Sequence, residues 1–296
     1  MLGRDLMSCL EFRHRVLPLT RKEADITDSR AVDQAFDRTQ PDIVVHCAAF
    51  TAVDDCELHP ELAFKVNTEG TENVARACRK RSIPILYLST DYVFDGEKPE
   101  PYIETDRPSP LNVYGQSKLA GEESVKELAA RFWIVRVSWL FGPWGRNFVR
   151  AILDQACTGQ PLRVVADQAG APTYTMHLAE KIEAIFTGTE DGIYHVTNQG
   201  YCSWFEFAKE ILHQAGLDHI TVSPIPSSAL DRRARRPLNS RLANTRLEAS
   251  GLGLLPPWQD AVRSYLSRAM GARSPASETA PAGGAAPAAA RWLKTT

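Results

Sequence analysis

At 296 residues, 44% of them hydrophobic and 24% charged, with a formal net charge of −2, the chain is long enough for one large domain or two closely packed ones, and nothing in it suggests a stapled mini-protein. The mildly acidic balance supplies no global electrostatic reason to bind nucleic acid. Cys9, Cys47, Cys56, Cys78, Cys157 and Cys202 form no C-x-x-C pair and no zinc spacing, so they read as reduced thiols of a soluble, cytoplasmic protein; no apolar run nears the roughly 20 residues that span a bilayer, and the start lacks a signal-peptide pattern.

In chain order the spacing predicts a helix over 2–12, a strand over 15–19, a helix over 29–38, a strand over 42–48, a helix over 60–81, a strand over 83–89, a helix over 114–130 and a strand over 133–138. The strands are near-continuous apolar runs, as expected where both faces are covered. Alternation of this kind predicts an α/β fold, a Rossmann-like doubly wound parallel sheet with its ligand beyond the carboxyl ends of the strands. From about Gly142 the pattern turns mixed: a helix over 147–159, a strand over 162–166, a helix over 175–187, a strand over 192–197 and a helix over 203–215. The expected division is therefore a first domain over 1–145, a smaller, partly interleaved substrate-binding lobe over 146–270, and a disordered Ala/Pro-rich tail over 271–296, in which 291–294 is a frayed end or a short docking motif. The Arg-rich run 231–236 reads as a solvated face, with anion binding as the alternative.

Chemistry concentrates in two segments. In Pro110-Leu-Asn-Val-Tyr114-Gly-Gln-Ser-Lys118 a helix beginning near Tyr114 sets that phenol and the Lys118 ammonium one turn apart on one face, where the cation favours the phenolate. The spacing alone would describe many surface helices. It is joined by Leu86-Tyr-Leu-Ser-Thr90-Asp91-Tyr-Val-Phe-Asp-Gly96, a strand ending in hydroxyls and a carboxylate where an α/β sheet presents its reactive groups, so that Thr90 or Ser89 can bond both a substrate carbonyl and the Tyr114 hydroxyl.

These two segments, together with Arg136-Val-Ser-Trp139-Leu-Phe-Gly, Asp167-Gln-Ala-Gly-Ala-Pro-Thr173, Ala48-Ala-Phe-Thr-Ala-Val-Asp54, Gly192-Ile-Tyr-His195 and Arg236-Pro-Leu-Asn-Ser240, resemble the signatures of the dTDP-4-dehydrorhamnose reductases, within the extended short-chain dehydrogenases/reductases. The likeness runs from Gly3 to about Tyr265. It implies hydride delivery from a nicotinamide to the C4 ketone of a dTDP-linked 6-deoxy-4-keto sugar, giving dTDP-L-rhamnose. Tyr114 would protonate the alkoxide, Lys118 would hold the ribose hydroxyls and lower the Tyr114 pKa, and Thr90 would orient the carbonyl. Thr90, Asp91 and Trp139 would face the sugar, although a Trp in this context otherwise reads as core.

The resemblance also implies a dinucleotide site. Such sites need a Gly-rich turn after the first strand. Here the start Met1-Leu2-Gly3-Arg4-Asp5-Leu6 looks like the end of that turn, with Leu2 and Gly3 at the phosphates. The expectation is that the first strand and most of the loop are missing, that Met1 is an internal methionine, and that activity of the chain suffers accordingly. Asp25 and Ile26 resemble the adenine-contacting pair, and Ala49 and Thr51 follow the third strand. Because the second strand ends Leu19-Thr20-Arg21-Lys22, with cations in place of the acid that binds a ribose 2′-hydroxyl, NADPH is expected over NADH. A subunit-bridging magnesium occurs in some members; Asp5 and Asp260 would supply two acids, but Met176 stands where a third is expected, so no metal is assigned. A homodimer is a further possibility. Two other readings share the motifs: a non-catalytic regulatory subunit resembling that of methionine adenosyltransferase, and a nucleotide-sugar epimerase or dehydratase that returns its hydride.

Overall fold

The computed structural model describes residues 1–271; beyond Gly271 the expected tail and its 291–294 motif lie outside the described residues. The first half runs α1 (Leu2–Leu10), α2 (Ser29–Thr39), β1 (Val44–His46), α3 (Val53–Leu58), α4 (Pro60–Phe64), a π-helical turn (Lys65–Glu69) continuing into α5 (Gly70–Arg81), β2 (Ile85–Thr90), α6 (Val113–Leu128) and β3 (Phe132–Val137). The second half adds β4 (Leu140–Phe141), α7 (Phe148–Ala156), β5 (Leu162–Val165), β6 (Ala169–Gly170), β7 (Thr173–Tyr174), α8 (Thr175–Gly188), β8 (Gly192–His195), β9 (Cys202–Ser203), α9 (Trp204–Gln214), β10 (Val222–Ile225), α10 (Thr245–Ala249) and α11 (Trp258–Gly271).

Strands β1, β2, β3 and β8 form one parallel sheet in that order, with Val44 opposite Ile85, Leu86 opposite Trp133 and Arg136 opposite His195. All of β2 is buried, and its two faces feed two different cores. Ile85 and Tyr87 pack with Val32, Phe36, Val74 and Val125 from α2, α5 and α6, whereas Leu86 and Leu88 pack with Leu2, Leu6, Leu178 and Ile182 from α1 and α8. A period of two with apolar residues at every position requires this double cover. Each such side chain contributes about 1.5–3 kcal/mol on burial. A third cluster, built on Phe141, Leu162, Phe207, Ile211 and Trp258, unites the elements after Gly142. Since β8 and α8 belong to the sheet, the two halves of the chain interleave.

Two expectations about elements need correction. Residues 15–19 form no strand: only Val16 is half-buried, Pro18 has no N–H to donate, and β1 pairs among the described residues only with β2, leaving 15–19 no adjacent ladder. The predicted 60–81 helix is broken into α4, the π turn and α5. Strand β10 was not anticipated; it pairs in parallel with β5, and the exposed Ser223 and Pro224 in its middle hid its pattern.

Candidate active site

Asn112 starts α6 by accepting the Gly115 N–H on its side chain (2.8 Å) and ties that start to the Arg-rich run by donating to the Arg235 carbonyl (2.8 Å). Position 115 has to be glycine, because a Cβ there would run into the Tyr92 carbonyl and come within 2.9 Å of Pro110 Cβ. The first turn of α6 is thereby seated against the residues that follow β2, which puts Tyr114 beside Thr90. The Thr90 hydroxyl is near enough to the Tyr114 phenol to favour its ionised form, and the Tyr114 ring meets Tyr92 edge-on at 5.8 Å. Thr90 also donates to Asp91 Oδ1 at 3.0 Å and accepts from the Tyr92 N–H at 3.2 Å. Ser138, just past β3, donates to the other Asp91 oxygen at 3.0 Å.

Lys118, one turn beyond Tyr114 and buried, donates from Nζ to the Leu88 carbonyl at 2.7 Å and lies 4.0 Å from the centroid of the Tyr87 ring. Tyr114, Lys118 and Thr90 thus gather at the carboxyl end of β2. Burial shapes their electrostatics. It holds the Tyr114 phenol well above its ordinary 10.0, opposed by the Thr90 hydroxyl and reinforced by Asp91, so the phenol carries its proton at neutral pH. The Lys118 ammonium is directed at the Leu88 carbonyl and the Tyr87 ring. Burial also lowers Lys118 itself to about 7, against the charge of Glu122 and Cys47, and raises Asp91 to about 6 against hydrogen bonds from Ser240, Thr90 and Ser138.

Trp139 adopts φ 45°, an uncommon conformation for a bulky residue that costs roughly 1–3 kcal/mol and persists only where its surroundings hold it. Its indole stacks on Trp204 with centroids 3.5 Å apart and planes 8° from parallel, and its carbonyl accepts the Thr173 N–H at 3.2 Å. The indole is half-buried, so it forms wall as well as core. Nearby, the Arg-rich run is not a simple solvated face. Arg236 is half-buried and grips both oxygens of Asp54 at 2.6 Å, while Arg232, Arg233 and Arg235 are exposed.

Residues 1–270 match the family described as RmlD substrate binding domain. The chain is 43% identical to a dTDP-4-dehydrorhamnose reductase of Streptomyces griseus over 88% of each protein, and 40% identical to the spore coat polysaccharide biosynthesis protein SpsK of Bacillus subtilis (strain 168), over 86% of this chain and 88% of that one. Among solved structures it is similar to the dTDP-4-dehydrorhamnose reductase of Bacillus anthracis str. Ames in complex with NADP, with TM-score 0.88 and 38% identity, covering 90% of this chain and 95% of the other. The chain belongs to the RmlD substrate-binding-domain family. A UDP-glucose 4-epimerase of Thermus thermophilus, 23% identical with TM-score 0.78 and covering 92% of this chain and 96% of the other, shares the Rossmann-like fold.

Of the positions assigned to the cofactor in this family member, Leu2 is buried in the α1–α8 core and Gly3 lies exposed in the first turn of α1. Ala49 and Thr51 flank Phe50, whose N–H and carbonyl are both held by the buried side chain of Asn67 (2.7 and 3.0 Å). Asn67 also donates to Ser117 Oγ at 2.9 Å, which links this loop to α6 one residue before Lys118. Asp25 accepts from the Thr27 N–H and the Arg21 guanidinium, which hold its carboxyl down at about 2. Ile26 packs into the core beside Val32 and Val74, with its carbonyl taken by Asn73. The residues weighed for magnesium do not fit a hard cation. Asp5 is turned to Trp144 Nε1 at 2.9 Å, Asp260 pairs with Arg263, and Met176 offers only a thioether.

Sequence reasoning missed Glu122, Arg136 and Asn67, and it offered Ser89 as an alternative to Thr90 for a role that the structure gives it no part in. Ser89 faces away from Thr90 and donates to Glu122, whose two oxygens also accept from Arg136 Nε (2.9 Å) and Nη2 (2.7 Å); all three side chains are buried. The period of two along β2, and the four-residue step from Lys118 to Glu122, were the available signals. Asn67 is the other omission, hidden in the predicted long helix that proved broken.

Proposed function

We propose that this chain is an NADPH-dependent reductase of the C4 ketone of dTDP-4-dehydro-β-L-rhamnose, giving dTDP-L-rhamnose, with 1–145 as the dinucleotide-binding part and 146–270 as the substrate lobe. The observation that carries the reading is the placement of Thr90 at the carboxyl end of β2 with Tyr114 and Lys118 one turn apart on α6, the Lys118 ammonium held on the Leu88 carbonyl. It is supported by relatives whose names carry the same reduction, and by the NADP bound to one of them. Bound NADPH would supply the hydride.

The chain's own residues do the rest. Thr90 orients the ketone oxygen, and Tyr114, kept protonated by its burial, gives its proton to the oxygen that becomes the C4 hydroxyl. Lys118 holds ribose hydroxyls, Asp91 and the half-buried Trp139 face the sugar, and exposed Arg21 and Lys22 suit a 2′-phosphate. Leu2, Gly3, Asp25, Ile26, Ala49 and Thr51 complete the cofactor side. A homodimer belongs to the same reading, and a cytoplasmic setting suits the free thiols. The test is NADPH oxidation with dTDP-4-dehydrorhamnose and product analysis. Equal amounts of NADP⁺ and dTDP-L-rhamnose are expected; sugar interconversion without net oxidation, or no reaction at all, overturns the reading.

A further inference from the structure

Two consecutive residues of β2 meet the buried Lys118 ammonium. The Leu88 carbonyl oxygen lies 2.7 Å from Nζ, and the centroid of the Tyr87 ring lies 4.0 Å from it. A ring face carries the negative lobe of the aromatic quadrupole, so it attracts a cation, and the attraction is strongest where water is excluded. Water is excluded here, since Tyr87 is 0% exposed and Lys118 2%.

The sequence builds this contact from both elements. The period of two along β2 sends Tyr87 under α5 and α6 together with Ile85, while Leu86 and Leu88 face the other core. On α6, Lys118 and Gly121 are one turn apart and share a side. Position 121 has room only for glycine, because a Cβ there would fall 2.5 Å from the Tyr87 hydroxyl oxygen, 3.2 Å from its Cζ and 2.5 Å from the Asn67 carbonyl oxygen. The ring therefore reaches the helix itself, and its hydroxyl donates to the Lys118 carbonyl at 3.4 Å. His46, opposite Tyr87 in the ladder, stacks on the ring with centroids 5.5 Å apart and planes 29° from parallel. His46 is fixed in turn: the Thr71 hydroxyl gives its proton to the Asn67 carbonyl at 2.8 Å, so His46 Nε2 is the donor to Thr71 Oγ1 at 3.1 Å. Gly121 at the hydroxyl end and His46 along the ring hold Tyr87 at the tilt that faces Nζ.

We propose that Tyr87 is a positioning residue whose ring face holds the Lys118 ammonium in place by a cation–π contact, with His46 and Gly121 setting the tilt of the ring. Of the three N–H groups of the ammonium, one goes to the Leu88 carbonyl and one to the ring, which leaves the third for a ribose hydroxyl. That last step rests on the reductase reading; the contact itself does not.

The test replaces Tyr87 by phenylalanine and by its mono-, di- and trifluorinated analogues in the full chain labelled with ¹⁵N-lysine, the Lys118 side-chain resonance being identified by its loss in Lys118→Arg. Fluorine drains negative charge from the ring face at nearly constant shape, a change to which a packing role is indifferent. The titratable and charged groups around Lys118 are the same in every variant: His46 and Cys47 at the end of β1, Tyr114 and Glu122 on α6, and Arg136 on β3 behind Glu122. The midpoint at which Lys118 titrates should stay close to wild type with phenylalanine and fall stepwise with each fluorine, by about one pH unit in all, a tenfold change. The dissociation constant for NADPH should rise in the same order, about tenfold across the series. Midpoints that do not move with fluorination overturn the proposal. Midpoints that fall while NADPH binds to no variant, wild type included, uphold the contact and defeat the reductase reading.

Discussion

Gly170→Ala is expected to lower stability and, together with it, disturb the wall that Trp139 forms. A Cβ built on Gly170 falls 2.6 Å from Trp139 Nε1 and 2.7 Å from Cζ2, and closer still to Cε2. Ordinary carbon contacts lie near about 3.5–4.0 Å, so the indole has to retreat by roughly 1 Å. It cannot move toward Trp204, already stacked at 3.5 Å and itself 4.5 Å from Phe148. Overpacking of this kind costs about 1–3 kcal/mol, which for a protein of this size lowers Tm by roughly 2–5 °C. The backbone gives no other reason for a loss, since Gly170 has no positive φ, and alanine would otherwise stabilise by about 0.4–1 kcal/mol through the unfolded chain. Thermal unfolding followed by circular dichroism reads both effects, because the parallel Trp139–Trp204 pair should give an exciton band that weakens in the variant. KM for the keto sugar should rise more than kcat falls. A variant at least as stable as wild type, with the exciton band intact, would refute the placement of Trp139.

Two further outcomes follow from charge. His195 is buried, with Nδ1 near the Tyr102 and Ala243 carbonyls, and burial lowers it to about 4 from an ordinary 6.5. The unfolded chain binds that proton first, so the contribution is full above about pH 6.5 and is lost as pH falls toward 4, about 2 kcal/mol of it between pH 7 and 5. Asp91, raised to about 6, works in the opposite direction over the same window, so urea unfolding should compare wild type with His195→Gln. The variant should show the shallower loss, and equal slopes would refute the assignment. For the cofactor, exposed Arg21 and Lys22 predict a lower KM for NADPH than for NADH, with Arg21→Glu narrowing the gap about tenfold; equal rates with both cofactors at equal concentration would contradict this.

Much of the sheet was legible because apolar runs at 85–90 and 132–137 can be buried only between two helical layers, and the helix now seen over 113–128 was expected from near Tyr114. Tyr114, Lys118 and Thr90 were legible because helix period and strand polarity alone bring them to one edge. What stayed hidden depends on tertiary contact. Ser89 read as a site hydroxyl, and Glu122 and Arg136 carried no signal of being partners; only the fold makes the three a buried set. The 15–19 run failed as a strand because β-propensity has no force without a neighbouring ladder. The stack of Trp139 on Trp204 joins residues from either side of β5 to β9, and no local pattern encodes it.

The most direct measurement is turnover and NADPH binding in Tyr114→Phe, which deletes one oxygen and keeps the ring against Tyr92. The account predicts that kcat falls by about 10²–10⁴-fold, the worth of a positioned proton donor, while the dissociation constant for NADPH stays within about threefold of wild type. Turnover preserved in that variant would contradict it, because the proton would then have to come from another group.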